Sequence, residues 1–336
     1  MRKIGVIGAG SWGTALTVLL NSNGHQVTVW SAIEDEIKML QQEREHKDKL
    51  PGVKLAEDMV FTTDMKSAIE DKDFLVLAVP SPFIRGTANN MKEYVSDGQI
   101  IVNVAKGIEE KTLMTLSQVI EDEIPQADVA VLSGPSHAEE VGRGIPTTIV
   151  VGAKTQKTAE YIQNTFMSDV FRVYTSPDVL GIELGAALKN VVALAAGIAD
   201  GLGYGDNTKA ALITRGITEI ARLGMVLGGK FETFCGLSGI GDLIVTCASM
   251  HSRNRKAGVL IGQGKTMEEA MAEVKMVVEG VHSAKAAIGL AKKHGVELPI
   301  IEQVNEVLFN NKSAAEAVRD LMIRDKKIEN QDLPWE

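Results

Sequence analysis

Hydrophobic and polar positions alternate along the first half of the chain with two different periods. Short, mostly apolar runs predict β-strands, and the stretches between them place apolar residues at the spacing of one helix face. The run 73–79 is apolar almost throughout, which is typical of a parallel strand buried on both faces of a sheet. The predicted strands are 3–7, 26–30, 59–63, 73–79, 99–104, 128–132, 147–151 and 170–175. Strands that alternate with helices predict an α/β fold with a doubly wound, mostly parallel sheet.

The second half of the chain has a different pattern. From about residue 176 the helical period dominates and strand-like runs disappear. The predicted helices are 14–20, 34–45, one that follows Pro82 and ends at about residue 95, and 111–124 in the first half, and 180–199, 207–227, 257–261, 266–274, 283–294 and 302–310 in the second. A chain of 336 residues is long enough for about two domains. We therefore predict an α/β domain over 1–179 and an all-helical domain over 180–330, with helix 180–199 either central to the second domain or bridging the two.

Composition narrows the functional classes. The net charge of −9 disfavours non-specific binding to nucleic acid. Cys235 and Cys247 are too few for a disulfide framework or a zinc site, and we expect both to be buried thiols. The six histidines do not cluster, so we expect them in loops or at the surface and predict no metal site. We expect no membrane span, because no apolar run approaches ~20 residues. The first residues enter the fold directly, so a signal peptide is not expected and the predicted location is cytoplasmic.

A glycine-rich turn connects the first predicted strand to the first predicted helix. Gly8, Gly10 and Gly13 have the G-x-G-x-x-G spacing of a dinucleotide-binding fingerprint, in the strand–turn–helix context that gives the motif its meaning. The first glycine allows a tight turn, the second lets a pyrophosphate approach the backbone, and the third lets the helix pack on the strand. The free N–H groups at the helix start then attract phosphate. This predicts a Rossmann-type domain that binds NAD or NADP.

The stretch after the second predicted strand does not decide between the two cofactors. An acid about 20 residues beyond the glycines binds the ribose hydroxyl of NAD, and an arginine accommodates the extra phosphate of NADP. Here Ala32 and Ile33 follow the strand, and Glu34 and Asp35 come slightly late. The preference therefore stays open.

Three stretches outside the fingerprint carry side chains that suit reduction of a carbonyl group, which needs a proton donor and hydrogen bonds to the oxygen. Lys106 follows a predicted strand, at the sheet edge where ligands bind, or is a solvated loop lysine. Lys189 interrupts an apolar helix and either faces a cleft or extends to water. Asp242 either serves the site or caps a helix, and it shares a helix face with Thr246.

A basic turn follows at 252–254. Ser252, Arg253 and Asn254 at a helix start would form a phosphate cradle, with arginine as the strong charged donor. The alternative is an exposed basic turn without a ligand.

Taken together and in this order, the motifs resemble the bacterial NAD(P)-dependent glycerol-3-phosphate dehydrogenase family. The resemblance spans residues 2–325 and rests on Gly8–Ala15 (GAGSWGTA), Val79–Ser81 (VPS), Lys106–Gly107 (KG), Ser133–Val141 (SGPSHAEEV), Leu188–Val191 (LKNV), Gly236–Leu243 (GLSGIGDL) and Ser252–Asn254 (SRN). It implies a reversible hydride transfer between NAD(P)H and dihydroxyacetone phosphate that gives sn-glycerol 3-phosphate for glycerophospholipid synthesis. Members commonly carry a basic residue where this chain has Ala32 and Ile33, so an NADP preference is in doubt.

The resemblance also implies roles for individual residues. Lys189 is the implied general acid and base, assisted by Lys106 and Asp242. The implied cofactor-binding residues are Gly8, Gly10, Ser11, Trp12, Gly13, Lys106, Ala138, Arg253, Val277 and Glu279. The implied substrate-binding residues are Lys106, Gly134, Ser136, Lys189, Asp242, Ser252, Arg253 and Asn254. A homodimer stays open, because the residue pattern shows no interface.

Two other functions stay open from the residues alone. Another dehydrogenase of the β-hydroxyacid type would share the two-domain plan and pair a lysine with an asparagine, as at Lys189 and Asn190. The Ser252–Asn254 turn and the Gly236–Asp242 loop favour a phosphate-bearing substrate over that alternative. A nucleotide-sensing module without catalysis would give Lys106, Lys189 and Asp242 no reason to converge.

Overall fold

The first half of the chain forms an eight-stranded sheet in the order β10-β9-β8-β7-β6-β1-β2-β5. The structure is a computed structural model, and it describes residues 1–326, 328 and 329. The strands are β1 (Lys3–Ile7), β2 (Gln26–Trp30), β3 (Glu45–His46), β4 (Leu50–Lys54), β5 (Val60–Thr62), β6 (Phe74–Leu77), β7 (Ile100–Asn103), β8 (Asp128–Ser133), β9 (Thr147–Ala153) and β10 (Phe171–Ser176). β3 and β4 form a separate antiparallel hairpin. In the large sheet all neighbours are parallel except β8 and β9. The predicted mostly parallel, doubly wound sheet is confirmed.

The strand order creates a crevice at one edge of the sheet. β1 lies between β2 and β6, so the chain leaves β1 in one direction and later returns on its other side. Open α/β sheets bind ligands at such a switch point, outside the carboxyl ends of the strands. β1, β6, β7 and β8 all point their carboxyl ends to this edge because they are mutually parallel. The loops that follow these strands are therefore neighbours in space.

Sixteen helices surround and follow the sheet in the described part of the chain. They are α1 (Ser11–Ser22), α2 (Glu34–Glu43), α3 (Met65–Ile69), α4 (Ile84–Met91), α5 (Leu116–Glu123), α6 (Ala138–Val141), α7 (Gln156–Phe166), α8 (Val179–Gly201), α9 (Asp206–Val226), α10 (Phe231–Phe234), α11 (Asp242–Ala248), α12 (Arg253–Gly262), α13 (Met267–Val274), α14 (Glu279–His294), α15 (Pro299–Phe309) and α16 (Ala314–Met322). The predicted helical second half is confirmed. The boundary between domains 1–179 and 180–330 stays a prediction.

Helix α8 is the centre of the helical half and also reaches the sheet. Every residue from Gly181 to Ala199 is buried. Its first turns pack on β8 and β9, where Ile182 contacts Val131 and Val150. Its remaining length packs against α9, α11, α12 and α14. Helix α8 is therefore central to the helical half, and its first turns also reach the sheet.

Glycines allow α8 and α12 to pack backbone against backbone. A Cβ on Gly197 would lie 2.1 Å from the carbonyl oxygen of Arg255, and one on Gly258 would lie 2.3 Å from that of Leu194. Both distances are far inside van der Waals contact, so neither position accepts a side chain without moving a helix. The basic turn that opens α12 is held close to α8 by this packing.

Replacing Gly197 by alanine is expected to lower the free energy of unfolding by about 1–3 kcal/mol, since over-packing a tight core costs that much. Urea unfolding of Gly197→Ala measures the change. Gly86→Ala is the matched control, because a Cβ on this α4 glycine meets nothing within 4 Å. The control is expected to be neutral or to gain up to about 1 kcal/mol from helix propensity. Equal losses in both variants would contradict this account of the α8–α12 contact.

Several local predictions were wrong. The helix predicted over 111–124 begins only at Leu116, because Thr115 and Gln118 form a capping box that fixes the helix start there. The predicted helix 34–45 ends two residues early, at Glu43, since Arg44 takes a left-handed conformation and the chain turns into the β3–β4 hairpin. That hairpin and helices α3, α6, α7, α10 and α16 have no counterpart in the prediction.

The predictions for cysteine and histidine were partly wrong. Cys247 is buried as expected, but Cys235 is exposed. His46 is 1% exposed rather than at the surface, because it bonds to the buried Glu36 carboxylate at 2.9 Å. Among the described residues, no group of three or more His, Cys, Asp or Glu side chains is placed to hold a metal ion.

Two helical stretches are long and apolar enough to pass a membrane-span test by length and composition, contrary to the expectation that none would. The first is α8, and 89% of its window is buried inside the protein, as in the core helix of a soluble protein. The second, Phe231–Ala248, is three short segments merged across a kink at Gly239. These stretches are weak evidence for a membrane span.

Candidate active site

The glycine turn between β1 and α1 has the shape that the fingerprint requires. Gly8 has φ +119°, a conformation that side chains rarely adopt, and a Cβ there would also press on the backbone of Ala78. A Cβ on Gly13 would lie 2.0 Å from the carbonyl oxygen of Gly8. A Cβ on Gly10, by contrast, would meet nothing within 4 Å. The middle glycine therefore borders open space, while the outer two pack the turn.

The start of α1 is free to bind an anion. Gly10 is the N-cap and offers no side-chain cap to the helix, and the first turn contains no acidic residue. The indole Nε1 of Trp12 is buried without a hydrogen-bond partner among the described residues. Unpaired N–H groups at a helix N-terminus are a ready site for phosphate. These features fit a dinucleotide whose pyrophosphate lies over Gly10.

Two lysines and one aspartate meet between the sheet and the helical half. Lys106 comes from the loop after β7, Lys189 from the middle of α8, and Asp242 from the start of α11. The Asp242 carboxylate accepts a hydrogen bond from Lys106 Nζ through Oδ2 and from Lys189 Nζ through Oδ1, both at 2.6 Å. Lys189 also donates to the hydroxyl of Thr246 at 2.6 Å, one turn beyond Asp242. Sequence-distant charges thus form one cluster, which we call the lysine–aspartate cluster (Lys106, Lys189 and Asp242).

Local backbone geometry places each member of this cluster. Gly134 has φ +142°, and its carbonyl oxygen accepts a hydrogen bond from Lys106 Nζ at 3.1 Å. Ser136 adds an acceptor at 3.4 Å from the same ammonium. The loop before α11 packs directly on α8, since a Cβ on Gly185 would lie 2.8 Å from the carbonyl oxygen of Ser238. That close approach brings Asp242 against Lys189.

The electrostatics of the cluster favour a proton-exchanging lysine. Burial and the neighbouring charge of Lys106 lower the pKa of Lys189 to about 8, although Asp242 opposes the fall. Burial alone would raise the pKa of Asp242, but the charges of Lys106 and Lys189 outweigh it and keep that pKa below its usual value. Asp242 therefore stays ionised while Lys189 titrates near neutral pH. A pKa close to the working pH is what a general acid and base requires.

The basic turn at the start of α12 is linked to α8 by side chains. Ser252 caps the helix by accepting from the backbone N–H of Arg255 at 3.2 Å. The Asn254 amide donates to Asn190 at 2.9 Å and accepts from the backbone N–H of Gly280 at 2.8 Å. Arg253 is exposed and has no hydrogen-bond or ion-pair partner among the described residues. Of the three predicted cradle residues, Arg253 is thus the one whose donors are free.

A second link joins the helical half to the sheet. Glu279, the first residue of α14, accepts hydrogen bonds from the backbone N–H of Ser81 at 3.0 Å and from its hydroxyl. A Cβ on Gly107 would lie 2.7 Å from the Ser81 hydroxyl and 3.5 Å from the Glu279 carboxylate. Two motif residues, Ser81 and Gly107, therefore meet the predicted cofactor residue Glu279 beside Lys106.

The family models match both halves of this arrangement. The model described as NAD-dependent glycerol-3-phosphate dehydrogenase N-terminus matches residues 3–159, and the model for the C-terminus of the same enzymes matches residues 178–319. The chain belongs to the NAD-dependent glycerol-3-phosphate dehydrogenase family. The family is one of oxidoreductases that act on a CH–OH group with NAD or NADP. The resemblance inferred from the motifs is confirmed.

Individual members of the family are very similar to this chain. A glycerol-3-phosphate dehydrogenase (NAD(P)+) of Agathobacter rectalis is 67% identical over 335 residues, which cover 100% of both chains. One of Fusobacterium nucleatum is 62% identical over 333 residues, covering 98% of this chain and 99% of the relative. The crystal structure of the Coxiella burnetii glycerol-3-phosphate dehydrogenase superposes with a TM-score of 0.93 at 36% identity, covering 96% of this chain and 99% of that one.

Ala138 and Val277 are the remaining predicted cofactor-binding residues of this dehydrogenase family member, and Ala32 and Ile33 are the positions that bear on the choice of cofactor. Ala138 opens α6, which packs on α1, and it is buried. Val277 is half-buried in the turn before α14. Ala32 and Ile33 are exposed after β2. Among the described residues, none of these four forms a hydrogen bond to the lysine–aspartate cluster. Their roles therefore stay predictions.

Sequence reasoning missed two residues that support the site, Glu183 and Asn103. Glu183 is buried on α8, and its carboxylate reaches Asn103 at the end of β7. The signal that singled out Lys189, a charge within an apolar helix, applies equally to Glu183.

Proposed function

We propose that this chain catalyses the reversible transfer of hydride between NAD(P)H and dihydroxyacetone phosphate, which gives sn-glycerol 3-phosphate. The observation that supports this most is the pairing of Lys189 and Lys106 with the single carboxylate of Asp242 at the sheet's ligand-binding edge. Membership of the family supplies the substrate and the cofactor class.

The cluster residues divide the work of ketone reduction. When bound, the reduced nicotinamide supplies a hydride to the carbonyl carbon. Lys189 donates the proton from Nζ to the carbonyl oxygen and is left as a neutral amine, which regains a proton from solvent. Lys106 stabilises the negative charge that develops on that oxygen. Asp242 holds both ammonium groups in place, and in the reverse reaction the neutral Lys189 takes the proton from the alcohol.

The cofactor site that we propose is the glycine turn between β1 and α1. Gly10 leaves room for the pyrophosphate, and the N–H groups of Ser11, Trp12 and Gly13 at the start of α1 face it. Glu36, the acid on α2 whose side chain returns to the end of β2, bonds to Ser31, His46 and Lys49. Its carboxylate is therefore engaged within the protein, and we propose use of either NAD or NADP.

The rate should depend on pH in opposite senses for the two directions. Reduction needs the ammonium form of Lys189, so kcat is expected to fall as pH rises through about 8, while kcat for alcohol oxidation is expected to rise through the same range. The groups that set this pKa are Asp242, Lys106 and Cys247, with His137 close by. Initial rates measured across neutral and alkaline pH in both directions test the assignment. A kcat that changes with pH in the same sense in both directions would contradict it.

Binding of the substrate's phosphate group should depend on Arg253. Arg253→Ala is expected to raise KM for dihydroxyacetone phosphate by roughly 10- to 100-fold, since a charge-assisted hydrogen bond contributes about 1.5–3 kcal/mol. Turnover of unphosphorylated dihydroxyacetone should be equally poor in wild type and variant. Arg222→Ala, which removes a half-buried arginine that donates to the Glu297 carbonyl, is the matched control. An unchanged preference for the phosphorylated ketone in Arg253→Ala would contradict the cradle.

The wider setting follows from the family rather than from the site. We propose that the enzyme acts in the cytoplasm, supplies glycerol phosphate for glycerophospholipid synthesis, and forms a homodimer. Size-exclusion chromatography with light scattering tests the last point, because a monomeric mass at micromolar concentration would contradict it.

A further inference from the structure

A buried carboxylate on α8 is not used by the mechanism above. Glu183 is 5% exposed and lies six residues before Lys189 on the same helix. Burial raises the pKa of Glu183, and hydrogen bonds from Ser117, Thr115 and Asn103 oppose that rise. A carboxylate removed from water is costly unless it is well bonded, so its partners indicate what it does.

The first partner of Glu183 is the start of helix α5. Its Oε1 accepts the backbone N–H of Ser117 at 2.9 Å, and its Oε2 accepts the hydroxyl of Ser117 at 2.5 Å. Ser117 is the second residue of α5, where N–H groups have no partner within the helix. The positive end of α5 therefore fixes the carboxylate and, with it, the position of α8.

The second partner of Glu183 leads directly to Lys106. Asn103 ends β7 and donates from Nδ2 to Glu183 Oε1 at 3.3 Å. The same side chain accepts the backbone N–H of Ala105 at 3.1 Å and donates to the Ala105 carbonyl at 3.3 Å. Asn103 thus holds the short loop that ends at Lys106, and Glu183 joins that loop to the helix that carries Lys189.

We propose that Glu183 is a positioning residue that sets the separation of Lys106 and Lys189 by tying the β7 loop to α8 through Asn103. The inference rests on the proposed function, since the spacing of the two lysines matters only if they share a reacting oxygen and the Asp242 carboxylate. It assigns Glu183 no contact with substrate or cofactor. Its effect should appear in kcat and in the titration of Lys189.

The expected kinetic signature follows from the charges around Lys189. The Lys106 charge lowers the pKa of Lys189. If Lys106 moves away from Lys189, the pKa of Lys189 should therefore rise. Glu183→Ala should therefore shift the alkaline limb of the reduction rate to higher pH and reduce kcat by roughly tenfold or more, in the range lost when catalytic groups are misplaced. Glu183→Gln keeps an acceptor for Ser117 and Asn103 and should retain most of kcat.

Glu219 provides a matched control for a purely structural loss. It is also 5% exposed and accepts the N–H of Ile300, the second residue of helix α15, at 2.8 Å. Glu219→Ala removes the same chemical group from the same kind of helix start, in a place without a link to Lys106 or Lys189. Its kcat and alkaline limb should match the wild type even where its thermal stability falls.

The test compares wild type, Glu183→Ala, Glu183→Gln and Glu219→Ala for NADH oxidation by dihydroxyacetone phosphate across neutral and alkaline pH. Asn103→Ala breaks the same link from the other end, and it replaces Glu183→Ala if that variant does not fold. A lowered kcat with a shifted limb in Glu183→Ala or Asn103→Ala, but not in Glu219→Ala, supports the proposal. A folded Glu183→Ala or Asn103→Ala variant whose alkaline limb and kcat match those of Glu219→Ala overturns this proposal and leaves the proposed function standing. A wild type without turnover overturns the proposed function and this inference together.

Discussion

Replacement of Lys189 by methionine is expected to lower kcat for reduction of dihydroxyacetone phosphate by roughly 10²–10⁴, the usual contribution of a general acid. Methionine fills much of the same volume on α8, so the packing of this buried position is retained while the proton is lost. Lys106 remains bonded to Asp242, so the carboxylate keeps one cation. Dissociation constants for NADH, measured by fluorescence, should be unchanged.

Lys209→Met serves as the control for this substitution. Lys209 pairs with Asp200 at 3.0 Å on α8, outside the lysine–aspartate cluster, so its loss tests removal of a partly buried lysine without loss of the proton donor. Wild-type kcat is expected for the control. A Lys189→Met variant that keeps more than a tenth of the wild-type kcat would show that another group delivers the proton.

Substitution of Asp242 by asparagine is expected to damage both catalysis and stability. The change leaves two ammonium groups without their shared carboxylate in a buried position, and removing one partner of a buried ion pair costs about 3–5 kcal/mol. Without Asp242 the pKa of Lys189 should fall below about 8, because that carboxylate raises it. At neutral pH Lys189 would then be mostly neutral, and kcat for reduction should fall by roughly 10²–10³.

The direction of the pH shift separates this effect from that of Glu183. Asp242→Asn should move the alkaline limb of reduction to lower pH, whereas Glu183→Ala should move it to higher pH. Asp200→Asn is the control for stability, since Asp200 also bridges two cations, Lys209 at 3.0 Å and Arg255 at 2.7 Å. An Asp242→Asn limb at the wild-type position would mean that Asp242 does not tune Lys189.

Much of the fold follows from local patterns in the sequence. β6 could be predicted because a parallel strand buried on both faces is continuously apolar, and Gly8 and Gly13 could be recognised because no other residue fits their positions. The antiparallel direction of β9 could not, since strand direction leaves no mark in the alternation of side chains. The β3–β4 hairpin is short, and its Pro51 and Gly52 interrupt any strand period.

The candidate site could be predicted residue by residue but not as a geometry. Asp242 and Thr246 share a helix face, which their spacing of four predicts. The bond between Lys189 and Asp242 joins residues 53 positions apart, and it depends on how the loop before α11 packs on Gly185. The role of Glu183 depends on where β7 ends relative to α8, which is set by the sheet and has no local signature.

The most direct test of the account follows the absorbance of reduced nicotinamide in the wild-type enzyme with dihydroxyacetone phosphate, using NADH and NADPH in turn. The account predicts oxidation of the cofactor that requires the phosphorylated ketone and is lost in Lys189→Met. Bound cofactor without turnover, or equal turnover with a β-keto acid in place of the phosphorylated ketone, would contradict it.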